Sequence, residues 1–482
     1  MEADRINSHI SQLMFDRAIS VGLLTAVVFT ALAHGAVEPW AVAGFELLVA
    51  GLILLWGVKV IVEKKVTIRI PAVGLPLVAL VALALVQSLA ITDHLGERLS
   101  FSLDVEATRT TLLTLSCLFV SFLIAANFFG SSNRKLGLAN FLIGWGLALA
   151  VFALLQHFTW NGRFYWLRTL TARNAMPFGP FVNRNHFAGY MEMLAPLPIA
   201  MVIARAPGRD LRLLYVFAAV MMAMAAIVSL SRGGMISLGA ELVFIAALSA
   251  RRQDVGGRRP AEGTARLASV LFMPRSAALI LLIAGVVVAG VLWMAPNQIV
   301  DRITSQSAGS QAQQAETLFS SRGWVWRDTI AMIRAKPLMG VGLGAYETAY
   351  PIYSQDDGAV ALGRSYAVDR AHNDYLQLVT EGGIVGGVLA LWFIVSIFRA
   401  VVRGAKSNDS LRRAFAIGGG AGIFGILVHS LVDFNLQLPS NALLFLLLVA
   451  AVTYARVAKP KAQPGRKHVT RSSHAAAVAI GA

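Results

Sequence analysis

Long apolar runs dominate this sequence and limit what it can fold into. An α-helix needs about 20 mostly apolar residues to cross the hydrocarbon core of a bilayer. About twelve such runs occur in the 482 residues, at 18–34, 39–62, 71–91, 110–128, 137–158, 186–204, 211–230, 233–250, 277–295, 376–400, 414–430 and 438–456. The chain is 56% apolar and 14% charged, whereas soluble domains average about 45–50% and 25%. We therefore predict an all-α, polytopic membrane protein.

The basic residues alternate between loops, which predicts the orientation. Lysine and arginine in short loops mark the cytoplasmic side. They are abundant at 63–70, 129–136, 205–212, 251–276, 399–413 and after Arg456, and absent from 35–38 and 431–437. Both termini are therefore expected in the cytoplasm. The net charge of +16 then reflects topology and contact with membrane lipid, and we expect no nucleic-acid partner.

Five segments follow from the runs and the charges. We expect a cytoplasmic N-terminus over 1–17 and membrane helices one to nine over 18–295. A large periplasmic loop containing helices spans 296–375, and helices ten to twelve span 376–456. A disordered cytoplasmic tail covers 457–482.

Arginines on the predicted outward face break the charge rule. Membrane insertion does not explain them, so an anion is expected to meet some of them there. They are Arg163, Arg168, Arg173 and Arg184 in the loop 159–185, Arg232 in the turn SLSRGGM, and Arg302, Arg322, Arg327, Arg334, Arg364 and Arg370 in the long loop. The alternative is pairing with acids of the long loop, namely Glu316, Asp328, Glu347, Asp356, Asp357 and Asp369.

The long loop is expected to contain a helix over 320–337, starting at a serine and stopping at Pro337. The polar segment 305–316 before it is low in complexity and is expected to be mobile. The following GVGLG, at 340–344, has no strand before it and no Gly-Lys-Ser after it. It therefore predicts a tight turn with closely packed backbone and not a nucleotide-binding loop.

His372 lies where the long loop meets the tenth apolar run, within AHNDYLQLVTEGG at 371–383. Imidazole is the usual general base near neutral pH, and Asp374 or Asp369 is a candidate to orient it. The alternative is a histidine that only caps or packs a helix. At the next outward edge, HSLVDFNLQLP supplies His429, Asp433, Asn435 and Gln437. These groups either face the same cavity or satisfy one another.

Two further polar sites enter the apolar runs. FVNRNHFAGY, at 181–190, supplies Asn183, Arg184, Asn185 and His186 for sugar hydroxyls or phosphate, unless they only cap a helix. Arg232 is costly at membrane depth and is a functional candidate on that ground, unless it snorkels to the headgroups. No Cys or His pair has zinc spacing and no aspartates cluster, so neither a metal nor another cofactor is expected.

Three blocks together resemble the O-antigen ligase and O-antigen polymerase superfamily. They are LSRGG at 230–234, SRGWVWRDTIAMIRAKPLMGVGLGAY at 321–346 and HNDYLQLVTEGGIVG at 372–386, in the family's order. The resemblance covers about 180–440. It implies an all-helical enzyme, similar to type C glycosyltransferases, in the bacterial inner membrane with its active site facing the periplasm.

The resemblance also implies the reaction and the roles of the residues. A glycan moves from an undecaprenyl-diphosphate-linked donor to an acceptor, either lipid A-core or a growing polysaccharide. The family's motif residues map onto Arg232, Arg322 and His372 as catalytic groups. We expect substrate contacts from Asn183, Arg184, Asn185, His186, Arg327, Asn373, Asp374 and Asp433.

The chemistry fits these residue types. Arginine binds phosphate through two hydrogen bonds and stays charged, so it can stabilise the departing diphosphate. A sugar hydroxyl needs a base, which His372 supplies, and a single in-line displacement would invert the anomeric carbon. Ligase and polymerase remain open. A transporter or lipid flippase and an outer-surface binding protein are the alternatives, although no convincing internal repeat is visible.

Overall fold

The computed structural model describes residues 2–66, 68–92, 98–169, 176–206, 208–250, 310–354 and 368–453, together with Gly285. Helices make up most of these residues. In chain order they are α1 (Glu2–Leu32), α2 (Pro39–Glu63), α3 (Leu75–Gln87), α4 (Val105–Phe128), α5 (Ser132–Phe158), α6 (Arg184–Leu194), α7 (Pro196–Ile203), α8 (Arg212–Val228), α9 (Arg232–Ala250), α10 (Ser310–Ala335), α11 (Tyr346–Tyr353), α12 (Asp374–Ala405), α13 (Ser410–Ala414), α14 (Gly420–His429) and α15 (Pro439–Thr453).

Short irregular elements complete the description. Single 3₁₀ turns form at Ala72–Gly74, Arg209–Leu211 and Asn435–Gln437, and a π-helical turn at Phe415–Gly419 joins α13 to α14. Two three-residue strands, β1 (Ala90–Thr92) and β2 (Arg98–Ser100), pair antiparallel with Ile91 opposite Leu99. This small hairpin is a departure from the purely helical prediction, and it follows the end of α3.

Eleven of the twelve apolar runs lie on apolar helices. Within the described residues, eight helical segments are long and apolar enough to cross a membrane, namely Ser11–Leu32, Pro39–Glu63, Val105–Phe128, Ser132–Phe158, Arg184–Ile203, Arg232–Ser249, Asp374–Ala405 and Ser410–His429. Shorter apolar helices occupy Ala72–Gln87, Arg212–Val228 and Pro439–Thr453. The remaining run, 277–295, and the tail 457–482 lie outside the described residues, so the count of twelve stays a prediction.

The helix expected over 320–337 is confirmed at its end but not at its start. It stops at Ala335, ahead of Pro337, and it already includes Ser310. Residues 310–316 are therefore helical, contrary to the expectation of a mobile segment. Their glutamines, alanines and glutamate are all good helix formers, and this local preference extends the helix across the polar stretch.

Close backbone packing at GVGLG is confirmed. Gly340, Gly342 and Gly344 all have positive φ, at 72°, 113° and 83°. A side chain on Gly340 would collide with the backbone of Glu381, which belongs to α12. At Gly383, with φ 62° and ψ −163°, α12 departs from helical geometry and packs against the carbonyl of Leu338. The turn and the kink therefore fix the long loop against α12.

Helices α6, α9 and α14 pack on one another. Phe187 and Tyr190 on α6 are completely buried. The segment after α14 returns toward the start of α12, where the backbone N–H of Asp374 donates to the carbonyl of Ser430 at 3.0 Å. The beginnings of α6, α9 and α12 and the end of α14 therefore lie at one end of the helices.

Candidate active site

The carboxylate of Asp433 forms the centre of the polar cluster at this end of the helices. Its side chain is 2% exposed. Its Oδ1 lies 3.6 Å from Nδ1 of His372 and 3.9 Å from Nε2 of His186. Its Oδ2 accepts a hydrogen bond of 2.7 Å from Nδ2 of Asn185. The cluster thus joins residues that precede α15, begin α6 and precede α12.

His372 is held in a conformation that presents its ring. Its φ is +50°, which is uncommon for a residue with a side chain and is often found at functional sites. The imidazole packs edge-on against the ring of Phe434, with 5.0 Å between ring centroids. Its side chain is 38% exposed. One side of the imidazole therefore faces a buried carboxylate while part of the ring remains accessible.

Asn373, and not His372, caps α12. Oδ1 of Asn373 accepts hydrogen bonds from the backbone N–H groups of Tyr375 and Leu376, both at 3.0 Å. Its Nδ2 donates to the carbonyl of Leu431 at 2.9 Å. The capping alternative for His372 is therefore wrong, although its contact with Phe434 is a packing contact.

The long loop reaches the same place through Trp326 on α10. The indole N–H of Trp326 donates to the carbonyl of Ala371 at 2.9 Å. The N–H of Ala371 donates to Oε1 of Gln377 at 3.0 Å. The residue before His372 is thus fixed on one side by the loop helix and on the other by α12.

Asp374 does not contact His372, contrary to one of the two expectations for an orienting acid. Its Oδ2 accepts from the hydroxyl of Ser430 at 2.8 Å and from the N–H of Leu436 at 3.1 Å. As the first residue of α12, Asp374 faces the connection between α14 and α15 and fixes its path. The other candidate, Asp369, is exposed. The acid nearest His372 is Asp433, which sequence reasoning placed only among the substrate contacts.

Asp433 is held as an anion. Burial by itself opposes ionisation of this carboxyl, but the imidazole groups of His372, His186 and His429 around it outweigh that effect. The pKa of Asp433 is therefore lowered below its ordinary value. An anionic carboxylate beside an imidazole favours the protonated imidazolium, which is the state a general base reaches after taking a proton.

The polar start of α6 divides into capping and site residues. Oδ1 of Asn183 accepts from the N–H of Asn185 at 2.9 Å, so Asn183 caps the helix. The backbone N–H of Arg184 donates to the carbonyl of Met176 at 2.8 Å, and the arginine side chain is half-buried. Asn185 and His186 reach Asp433. The capping alternative is therefore confirmed for Asn183, and sugar or phosphate binding by this segment stays a prediction.

Arg232 begins α9 and has an exposed side chain. The chain enters the helix through Leu230 at φ +59°, and the hydroxyl of Ser231 accepts from the N–H of Gly234 at 3.2 Å. The next residue, Gly233, packs so closely on His429 that an added Cβ would lie 2.5 Å from the ring. Contact with His429 therefore fixes the turn that carries Arg232.

His429 belongs to a second histidine–carboxylate pair, which lies deeper. Its Nδ1 is 3.1 Å from Oε1 of Glu192, and the two side chains are 1% and 0% exposed. Glu241 of α9 is also buried, at 1% exposure, and packs against Gly425. Sequence reasoning did not single out Glu192 or Glu241. Carboxyl groups inside the apolar runs 186–204 and 233–250 were the available signal, because such groups are rare in membrane spans.

Arg322 and Arg327, two of the three arginines of α10, differ in their partners. Nε of Arg327 is 3.0 Å from Oδ1 of Asp328, so the loop's own acids engage this arginine as the alternative proposed. Arg322 is half-buried. Within the part of the chain that the structure describes, neither the Arg322 side chain nor the Arg232 side chain forms a hydrogen bond or an ion pair. Over the same residues, no group of three His, Cys, Asp or Glu side chains is arranged to hold a metal ion.

Residues 217–391 match a family model described as O-antigen ligase. This match confirms the resemblance that the three sequence blocks carry. It includes Arg232, Arg322 and His372, but it begins after His186 and ends before Asp433. No curated protein matches the chain. The matched segment therefore carries the histidine and the arginines, while the carboxylate beside the histidine comes from the connection between α14 and α15.

Proposed function

We propose that the chain, whose residues 217–391 match the O-antigen ligase family model, transfers a glycan from undecaprenyl diphosphate to an acceptor hydroxyl. We place the reaction at the periplasmic face of the bacterial inner membrane and assign lipid A-core as the acceptor, as in a ligase. The observation that carries the proposal is the partly exposed imidazole of His372 beside the buried carboxylate of Asp433. A polymerase reaction, with a growing polysaccharide as acceptor, is the alternative within the same superfamily.

His372 acts as the general base in this proposal. Its Nδ1 lies on the Asp433 side, so Nε2 is the ring nitrogen left to take the proton of the acceptor hydroxyl. A buried carboxylate fixes the orientation of such a ring and stabilises the imidazolium that forms. The arrangement follows the logic of histidine–aspartate pairs in acyl transfer, here applied to a sugar hydroxyl.

Arg232 and Arg322 bind the diphosphate. A guanidinium offers a planar fork of N–H donors that matches phosphate oxygens, and it keeps its charge at any pH a cell experiences. The lack of internal partners for these two side chains, among the residues described, supports this role. Their charge stabilises the negative charge that builds on the departing oxygen as the glycosidic bond breaks.

The step is a single displacement that balances without a further reactant. The acceptor oxygen forms a bond to the anomeric carbon, and the bond from that carbon to the diphosphate oxygen breaks. The proton of the hydroxyl moves to His372, and undecaprenyl diphosphate leaves as an anion. Attack opposite the leaving group inverts the configuration of the anomeric carbon, and no metal takes part in the proposal.

Hydrogen bonds within the protein already occupy several of the side chains predicted to contact the substrate. Asn183 and Asn373 cap helices, and Asp374 holds the connection after α14. We therefore assign the glycan contact to the exposed part of the His372 imidazole. Asn185 supports Asp433 instead, through its hydrogen bond of 2.7 Å.

Purified protein in nanodiscs, given undecaprenyl diphosphate carrying a labelled glycan, tests the proposal. Lipid A-core added as acceptor should become labelled, and a His372→Ala variant should not produce the product at a comparable rate. Labelled chains that grow on the lipid carrier in the absence of lipid A-core would instead support the polymerase. A transporter would move the donor across sealed vesicles with its glycosidic bond intact, and that result would refute the proposal.

A further inference from the structure

A cavity lies at the opposite end of the helices from the candidate active site. Its volume is about 490 Å³, within the range of about 300–1,000 Å³ typical of small-molecule sites. The end of α2, the end of α4 and the start of α5 surround it, together with the first half of α1. Its lining includes Asp16, Lys59, Glu63, Lys65, Arg69 and Arg134.

Helix α1 shows that the two sites are far apart. At the end of α1, the carbonyl of Leu32 accepts from the hydroxyl of Tyr165 at 2.6 Å, and the carbonyl of Gly35 accepts from the N–H of Ser440 at 3.3 Å. These contacts belong to the active-site end. Asp16 lies on the same helix at the cavity, about 24 Å from Leu32 at a rise of 1.5 Å per residue.

The acids of the cavity are already neutralised. Asp16 accepts from Arg134 at 2.6 Å and lies 3.3 Å from Lys59. Lys59 also binds Glu63 at 2.5 Å. Two cations thus balance two carboxylates and join α1, α2 and α5. Among the described residues, the positive charges of Lys65 and Arg69 have no carboxylate partner.

Lys65 and Arg69 are placed to meet an anion. Among the described residues, neither side chain makes a hydrogen bond or an ion pair. The backbone of Arg69 is fixed, because its N–H donates to Oδ1 of Asn127 at 2.9 Å and its carbonyl accepts from Nδ2 of Asn127 at 3.0 Å. Arg69 is therefore held at the wall of the cavity with its guanidinium available.

The start of α5 adds a second feature that favours an anion. Gly130, Ser131 and Ser132 line the cavity, and Ser131 caps this 27-residue helix. The N-terminus of a helix carries a partial positive charge and free N–H groups, which commonly bind phosphate. The N-terminus of α5 and the cations Lys65 and Arg69 therefore line the same cavity.

Apolar surface beside the cavity identifies the source of the anion. Val66, Ile68 and Ile70, which flank Lys65 and Arg69 in the chain, are 68%, 51% and 48% exposed. They follow α2, which is one of the spans apolar enough to cross a membrane. Acyl chains can lie along this surface while a headgroup enters the cavity. We propose that the cavity binds the phosphate group of an anionic phospholipid, at the end of the helices predicted to be cytoplasmic.

Native mass spectrometry of protein released from nanodiscs tests this site. The cavity variant is Lys65→Gln with Arg69→Gln. The control is Arg17→Gln with Lys64→Gln, which removes two exposed charges nearby that do not line the cavity. Wild type and control should retain phosphatidylglycerol over phosphatidylcholine, and the cavity variant should retain several-fold less. The wild-type Asn127 contacts use the backbone of Arg69, so folding of the cavity variant should be preserved.

Three results would overturn the proposal. Equal phosphatidylglycerol retention by wild type and cavity variant would show that the two cations hold no lipid. Equal loss in both double variants would show general attraction to a basic surface. Inorganic phosphate at millimolar concentration that displaces the lipid from wild type completely would identify a free-anion site.

Discussion

Oδ1 of Asp433 lies 3.6 Å from Nδ1 of His372, although the two residues belong to different segments of the chain. One residue is buried and the other is 38% exposed, so the pair connects the interior to a surface that a substrate can reach. The second pair, His429 and Glu192, is buried on both sides. The two histidines therefore differ in access, and only His372 is available to an acceptor hydroxyl.

His372→Ala should reduce glycan transfer by about 10²–10⁴-fold, the usual contribution of a positioned general base. The variant should still insert and bind the lipid-linked donor, because the helix cap belongs to Asn373. Transfer rates on folded, donor-binding protein provide the measurement. Near-normal turnover in His372→Ala would show that His372 is not the general base.

Asn373→Ala is the matched comparison for this experiment. Loss of a capping side chain costs about 1 kcal/mol of stability, so this variant should unfold at a lower temperature. His372→Asn should cost less stability and far more activity. If His372→Asn instead loses more stability than Asn373→Ala and keeps its activity, His372 is a packing residue.

Asp433→Asn should lower kcat while leaving the KM for donor nearly unchanged. The amide keeps the size of the carboxylate but not its charge, so the imidazolium loses its stabilising partner. Asp433 acts through His372 in this proposal and is a positioning residue. A change confined to KM would indicate direct substrate binding instead.

The stability difference between wild type and Asp433→Asn should depend on pH. The pKa of Asp433 is lowered in the folded protein, so its stabilisation is fully present above the ordinary aspartate pKa of about 3.9. It is lost as the pH falls through the lowered value, because the unfolded state then binds the proton first. Thermal unfolding in detergent should show the difference constant above about pH 5 and shrinking below about pH 4. A difference that persists unchanged to pH 3 would contradict the assignment.

Arg232→Ala and Arg322→Ala should each abolish transfer, and the lysine variants should retain little. Lysine keeps the charge but loses the two-pronged hydrogen bond to phosphate. Arg334→Lys, on the exposed end of the same helix as Arg322, provides the control and should transfer normally. Wild-type rates in the lysine variants of Arg232 and Arg322 would refute diphosphate recognition by these residues.

Apolar length predicted the helices well, since crossing a bilayer dictates a run of about 20 residues regardless of neighbours. The partner of His372 was not predictable in the same way. Asp374 is only two residues away, but the first turn of α12 directs it to Ser430 and Leu436. Asp433 reaches His372 only because α14 and α15 are connected beside the start of α12. Pairings of this kind depend on tertiary packing, which a single sequence does not reveal.

The predicted orientation is testable with two exposed positions. Single cysteines at Lys64 and Arg334, in a chain whose buried Cys117 is replaced by alanine, place one thiol at each predicted side. A membrane-impermeant maleimide applied to intact spheroplasts should label position 334 and leave position 64 unlabelled until the membrane is permeabilised. Labelling of position 64 alone would reverse the topology and move the proposed site to the cytoplasm.

Two glycines of α9 provide a test of how the Arg232 turn is held. An added Cβ at Gly233 would lie 2.5 Å from the His429 ring, whereas at Gly239 it would meet nothing within 4 Å. The His429 ring has little freedom to move, since it is 1% exposed and bound to Glu192 at 3.1 Å.

Gly233→Ala should therefore displace the turn and reduce transfer, with donor binding weakened because Arg232 moves with it. Gly239→Ala makes the same chemical change in the same helix and should leave transfer intact, with stability unchanged or raised by up to about 1 kcal/mol from helix propensity. Donor affinity and transfer rate, measured for both variants after confirming insertion, distinguish the positions. If Gly233→Ala transfers and binds donor as well as Gly239→Ala, then packing against His429 does not position Arg232.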